Sequence, residues 1–436
     1  MSAIGWIVLT WAVIIGNVWF LLHRYGKMWI VSIPGAFTMF NIVFNVIGAP
    51  AILSEYDAVG TLYIGSLNMV LMLHTIGYIL ADHIMKFDAR SGLERYHALS
   101  VEPVQDRIQL RLIFFTLAAL GIGVSVFYLL SVPSIPFIDM LRNPSMFELL
   151  AKSRETATTT FEGKYHRFSF FFRNLLPWLS LVALVLVFKM KKPVWIASTV
   201  VIIGFTVFMQ VADLQKAPII SFFLSLLFLL FILRGNLEWK KLFFFIVAAI
   251  LLLFFMYQFI MGLMSRTSGE ILITIAKRLF MAQTKGIYTV FQQFPAYHDF
   301  LYGRSFPNPG GLLPFENFNL FKYLFVHTFS NRLVEGTAPV MYCFEFYANF
   351  GMGGLVVSAL IGSMAMQLIQ IFIYRAPKTV WTTGLFAFLI IYFTRIALSS
   401  FFDAFGFMFA AFVVILVFRS ISMNILDQTI RNGADS

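Results

Sequence analysis

The chain has a single cysteine, Cys343, among 436 residues. One thiol excludes an internal disulfide framework and any cysteine-rich metal site. Charge is scarce as well, at 12% Asp, Glu, Lys and Arg, where soluble domains carry about a quarter. Catalytic signatures are missing: there is no HExxH, no Walker A, no GxSxG, and no DxD pair to hold a nucleotide sugar's metal. No internal repeat, low-complexity tract or soluble domain stands out. What fills the chain is apolar. Hydrophobic residues make up 59%, with 52 phenylalanines, and mean hydropathy is +0.82. By length alone this is about three soluble domains, but so much apolar surface cannot be hidden from water. A cytosolic enzyme, a secreted disulfide scaffold and a disordered protein are excluded. The expected fold class is an all-α polytopic membrane protein, a single integral domain over residues 1–436.

A spanning helix needs roughly 20 mostly apolar residues. Such runs fall near 4–22, 29–53, 62–84, 112–132, 169–188, 194–212, 217–233, 242–263, 350–374, 380–400 and 404–418, which predicts about eleven transmembrane helices. The first run has no basic segment before it and is followed by His23, Arg24 and Lys27, so it reads as a retained helix, not a signal peptide.

The net charge of +11 suggests a polyanion until its placement is examined. One set of short loops carries Arg24 and Lys27, then Lys86, Arg90, Arg95, Arg107 and Arg111. Lys189, Lys191 and Lys192, Arg234, Lys240 and Lys241, Arg375 and Lys378, and the tail's Arg419 and Arg431 continue it. The opposite short loops carry only Lys216. The positive-inside rule then puts the N-terminus in the periplasm and the C-terminus in the cytoplasm. Much of the basic excess is topology, and nucleic acid is not an expected partner.

Two longer segments fall on the periplasmic side, 133–168 and 264–349. Loops longer than about 15 residues are usually functional or disordered, and these are rich in Phe, Tyr and Leu, so order is expected. In the larger, Thr267-Ser-Gly-Glu270 has the form of a capping box. It opens an amphipathic helix near 268–294, with Ile271, Ile275, Leu279 and Ala282 at helical spacing. Arg278, Lys285, Tyr288 and Gln292 share another face. That face reads either as the solvated side of an interfacial helix or as a cationic shelf suited to phosphate.

Ionisable residues near helix ends are the other informative class. Arg173, Lys216, Arg395 and Glu345 all fall near the periplasmic ends of apolar runs. Each charge at depth costs a few kcal/mol and usually faces a cavity or a partner, though snorkelling to the interface accounts for any one of them. The seven histidines are scattered, and only His166, His298 and His327 lie outside, so neither a metal site nor any other cofactor is expected. A site with many cations, few acids and no metal suits a substrate that brings its own diphosphate leaving group. Outside the inner membrane the usual activated glycosyl donor is a polyprenyl diphosphate.

The stretch GTAPVMYCFEFYANFGMGG, from Gly336 to Gly354, follows YGRS at Tyr302–Ser305 and a Pro/Gly turn. With a QKAP helix start at Gln215–Pro218 and two basic outer loops, it resembles the O-antigen or oligosaccharide repeat-unit polymerases. These are Wzy-type membrane glycosyltransferases with a GT-C-like fold. The resemblance spans most of the chain as architecture but only 330–354 as motif. It implies a bacterial inner-membrane enzyme that transfers a growing glycan from undecaprenyl diphosphate to a new lipid-linked repeat unit, without metal, on the periplasmic face. The products would be O-antigen, capsule or exopolysaccharide. Implied partners are the lipid-linked donor and acceptor, the bilayer, and a chain-length regulator and flippase.

Transfer places negative charge on the departing diphosphate, which fixed cations stabilise. Arg278, Arg332, Arg395 and Lys216 take this role, with Arg173, Lys285 and Arg266 as further diphosphate ligands. Glu345, in a stretch similar to the family's Glu-x-Tyr-x-Asn-Phe-Gly, is the first choice of base. It reads equally as a carboxylate at a helix N-terminus. His298 and His327 are the fallback bases, and Tyr288, Tyr302, Tyr342 and Tyr347 line a sugar path or belong to an interface belt. Rival readings are an O-antigen ligase with the same donor, a rod-shape-class peptidoglycan polymerase, and a lipid-linked oligosaccharide flippase or transporter.

Overall fold

A computed structural model describes residues 3–53, 57–142, 147–158, 161, 165–260, 267–308, 311, 314–329, 336–395, 397–399, 402–403 and 406–416. The regular elements among them are all helical. Eight helical stretches are long and apolar enough to cross a membrane: Ile4–Tyr25, Ile33–Ala51, Ala58–Ile84, Ile108–Ser131, Tyr165–Met190, Pro193–Val211, Lys216–Arg234 and Tyr342–Arg375. Trp239–Ile260, and the shorter apolar Val380–Tyr392 and Gly406–Leu416, lie on the other expected runs. Large side chains such as Ile4 (73% exposed) and Leu130 (81%) point outward from these helices, which suits lipid and not water. The chain is a polytopic helical membrane protein.

It divides into two compact units. The first comprises Met1–Ala98, Arg266–Arg375 and Ile390–Asp403, and the second Leu99–Ser265, Ala376–Leu389 and Ala404–Ser436. The first unit is organised around the Ala58–Ile84 helix and the Tyr342–Arg375 segment. Asp57 caps the former, accepting from Gly60 N at 2.7 Å. A Cβ at Gly77 would strike Ser363 and the Leu360 carbonyl, so the two backbones meet there. Near the other end of this seam the buried Asp82 accepts from Tyr25 Oη (2.7 Å), Gln367 Nε2 (2.6 Å) and Arg24 (3.5 Å). One carboxylate thereby ties three helices.

The run expected at 29–53 forms one candidate crossing, Ile33–Ala51, with irregular turns that Pro34, Gly35, Gly48 and Pro50 allow. A 3-10 turn at Lys27–Val31 leads to Ile33–Asn41, a π-helical turn at Ile42–Val46 and a 3-10 turn at Ala49–Ala51. Such a π turn disturbs the i→i−4 ladder. Here the Phe44 carbonyl accepts Thr284 Oγ1 at 3.1 Å, anchoring the Ser268–Gln293 helix. That helix opens with the capping box formed: Glu270 N donates to Thr267 Oγ1 and Thr267 N to Glu270 Oε2.

In the second unit Tyr128, Val132, Ala157, Phe172, Leu176 and Met209 form a core cluster. Arg173 lies in a π turn, Phe171–Leu175, where it ion-pairs with Asp213 and donates to Gln210 Oε1 at 3.1 Å. Tyr165 Oη donates to the same Asp213 oxygen at 2.7 Å. Asp106, before the Ile108–Ser131 helix, accepts from Arg111 through two nitrogens (2.9 and 2.6 Å), from Lys192 (2.8 Å) and from Trp195 Nε1 (3.3 Å).

Candidate functional site

The Tyr342–Arg375 segment is two helices joined at Gly351, whose φ of 65° and ψ of −154° are not helical. A straight helix would hold residues 342 and 362 about 30 Å apart. Instead, a Cβ at Gly362 would lie 2.5 Å from Tyr342 Oη, and one at Gly354 would lie 2.6 Å from the Phe346 carbonyl. The arm 342–350 therefore folds back along 352–375 as a re-entrant hairpin. Only glycine adopts the Gly351 conformation at little cost, and Phe300 stands 3.1 Å from where a Cβ would be. Tyr342, at the foot of the arm, is buried and meets His74 Nε2 at 3.0 Å.

A helix end leaves carbonyls without partners, and here the loop 301–305 supplies the donors. Leu301 N donates to Ala348 O at 3.0 Å and Tyr302 N to Asn349 O at 3.1 Å. Positive φ at Tyr302 (50°) and Gly303 (93°) then turns the chain so that Gly303 N reaches Asn349 Oδ1 at 2.7 Å. The Asn349 amide donates onward to Ser305 Oγ at 2.7 Å and back to Glu345 O at 2.7 Å. Ser305 Oγ donates to Glu345 Oε1 at 3.3 Å. The other oxygen, Oε2, is buried and unpartnered.

This arrangement brings together the two stretches on which the resemblance rests, Tyr302–Ser305 and Gly336–Gly354. Glu345 is 3% exposed and has one oxygen held and one left over. A buried carboxylate in that state takes a proton or a donor from whatever enters. Leu398 turns its backbone N–H toward the same carboxylate. Arg395, three residues earlier, is thus within about 11 Å of chain. Its guanidinium lies over the Tyr392 ring at 4.2 Å.

Arg278 and Lys285 are exposed on the Ser268–Gln293 helix, whose Ile271 and Ile275 are buried. Tyr288 on that helix packs edge-on against Tyr63 at 5.2 Å. Tyr347 is buried, with its hydroxyl on Phe294 O at 3.4 Å, whereas Tyr302 is 71% exposed. Arg173 and Lys216 belong to the second unit. Arg173 ion-pairs with Asp213 within that unit. Arg266 and Arg332 lie outside the described residues. Among the described residues no group of three or more His, Cys, Asp or Glu is placed to hold a metal.

His298 and His327, far apart in sequence, flank one ring: Tyr323 is 5.7 Å from the first and 4.2 Å from the second by ring centroids. Sequence reasoning did not assign Ser305, Asn349 or Tyr323. The first two sat inside the motifs already singled out, as hydrogen-bonding residues at a turn and at a helix end, while Tyr323 carried no comparable signal. No family model matches the chain, and neither does any curated protein or solved structure.

Proposed function

We propose that the chain is a polymerase of undecaprenyl-diphosphate-linked oligosaccharide repeat units, acting on the periplasmic face of a bacterial inner membrane. The observation that carries this reading is Glu345. It is buried, fixed through Oε1 by Ser305, whose hydroxyl accepts from Asn349, unpartnered at Oε2, and lies within the stretch that resembles these polymerases. In the proposed reaction the acceptor sugar hydroxyl gives its proton to Glu345 Oε2 while its oxygen bonds to the anomeric carbon of the donor glycan. The bond from that carbon to undecaprenyl diphosphate breaks, and the diphosphate leaves with the electron pair. Arg395, Arg278 and Lys285 stabilise the departing charge, with Arg266 and Arg332 as further cations of the same kind. The reading includes eleven crossings, a periplasmic N-terminus, a cytoplasmic C-terminus and a flippase and chain-length regulator as neighbours.

One observation favours a second reading. The helix broken at Gly351, with a polar residue on its re-entrant arm, is a device of transporters, so a lipid-linked oligosaccharide flippase is the alternative. Purified protein given lipid-linked repeat units in excess EDTA and no nucleotide separates the two. A polymerase extends them into a ladder, because the diphosphate ester carries the driving force. Unchanged single units would sink the proposal, and a ladder that needs added magnesium would overturn its metal-free chemistry. In the active protein Glu345→Gln should leave substrate bound but unpolymerised. Long chains from that variant would remove Glu345 as the base.

A further inference from the structure

A second cluster in the first unit is built from rings. Tyr323, on the Leu320–Thr328 helix, has Phe318 at 5.4 Å, His327 at 4.2 Å and His298 at 5.7 Å between centroids. Its phenol donates to Gln293 Oε1 at 2.9 Å. His327 is exposed, and Tyr323, His298 and Phe318 are half-buried. Each imidazole has its Nδ1 against a backbone carbonyl, His298 on Asp299 O at 2.7 Å and His327 on Tyr323 O at 2.8 Å. A carbonyl only accepts, so Nδ1 carries the hydrogen and Nε2 of the neutral ring carries a lone pair.

We infer that His298, Phe318, Tyr323 and His327 form a saccharide-binding platform for the glycan, distinct from the reacting centre at Glu345. An aromatic face carries negative partial charge, and the face of a pyranose ring presents C–H groups of the opposite sign. The two Nε2 lone pairs accept from sugar hydroxyls at the rim. The charges closest along the chain are Asp299, Glu316, Lys322 and Arg304, two of each sign. A neutral, hydroxyl-rich ligand fits that balance better than a phosphate. The platform is also continuous with the site. Phe318 N donates to Arg304 O at 2.8 Å, next to Ser305, and Phe294, 6.0 Å from Tyr323, accepts from Tyr347 on the Glu345 arm. A glycan stacked here would run from the platform toward Ser305 and Glu345, so this inference rests on the polymerase reading.

The probe is the repeat-unit oligosaccharide released from its lipid by mild acid, added to the whole protein in lipid nanodiscs and followed by saturation-transfer NMR. Transfer should be seen with the unaltered protein and with Tyr323→Phe, which keeps the ring. It should fall at least about tenfold with Tyr323→Ala and also drop with the exposed His327→Ala, whose unfolding midpoint checks that it folds. Lack of transfer to the unaltered protein, or equal transfer to Tyr323→Ala, overturns the platform. So does Tyr323-dependent binding of inorganic diphosphate in its place. In the polymerisation assay Tyr323→Ala should make mainly short products. A protein that binds the free oligosaccharide yet never polymerises would refute the polymerase and leave the platform standing. One that polymerises to full length regardless of Tyr323, without binding the probe, would do the reverse.

Discussion

Asn349 makes three hydrogen bonds with one side-chain amide, to Gly303 N, Ser305 Oγ and Glu345 O. A buried amide used this fully is costly to remove, because its partners then lose theirs without gaining water. Asn349→Ala should destabilise the protein by on the order of 2–3 kcal/mol and lower its thermal midpoint. Ser305→Ala is the cleaner probe of function, since it releases only Glu345 Oε1 and the Asn349 donor. If Ser305 positions the carboxylate, kcat should fall about tenfold or more with KM little changed, and Ser305→Thr should recover part of it. Equal loss in both variants would reduce Ser305 to packing. Asp106, in the other unit, gives a test of stability alone. Hydrogen bonds from Arg111 and then Lys192 hold its carboxyl well below the ordinary value of about 3.9. A depressed acid stabilises the folded state above its unfolded pKa, and that contribution is lost as pH falls below about 4. Acid denaturation of the Asp106→Asn variant should therefore show a shallower limb below pH 5 than the unaltered protein, with a lower midpoint at neutral pH. Coincident curves would mean the four contacts contribute nothing net.

Among the elements, legibility followed periodicity. The capping box and the alternation of Ile271 and Ile275 with Arg278 and Lys285 are local signals, and the Ser268–Gln293 helix forms where they place it. Direction is not local. The sequence predicts a span starting at 350, but nothing in its apolar pattern says that 342–350 is a helix running back beside 352–375. That reversal is written only in Gly351, a residue that many membrane helices tolerate without bending. In the run 29–53 hydropathy marks the span that forms, Ile33–Ala51, but does not register the π turn at Ile42–Val46 or the 3-10 turn at Ala49–Ala51 within it. Gly351→Ala tests the hairpin. Placing a Cβ at this φ and ψ costs roughly 1–3 kcal/mol, with Phe300 adding a clash. A lower thermal midpoint and loss of polymer are expected. Gly353→Ala, where nothing lies within 4 Å of the added Cβ, should behave as the unaltered protein. Equal tolerance at both positions would contradict the fold-back.

At the scale of the whole molecule, the sequence shows which stretches are apolar enough to cross a membrane but not which residues meet. The candidate site joins residues 301–305 to 345–349 across about 40 intervening positions, and no spacing rule links Ser305 to Glu345. What the sequence does carry globally is the asymmetry of its loops, and that yields the most consequential prediction. Lys and Arg crowd the short loops after residues 24, 86, 189, 234 and 375, and such loops stay in the cytoplasm because translocating them is disfavoured. Reporter fusions after Arg95, Lys192 and Lys241 should then read cytoplasmic. Fusions after Thr159 and Asn308 should read periplasmic, since 264–349 is long enough to translocate whatever its charge. The Asn308 fusion is the decisive one, for it lies three residues beyond Ser305. In the proposed reaction the lipid-linked glycan reaches the enzyme from the periplasmic side. A cytoplasmic signal there would put Glu345, Ser305 and the Tyr323 platform in the wrong compartment together. The polymerase reading would then fail at once, however well the carboxylate is placed.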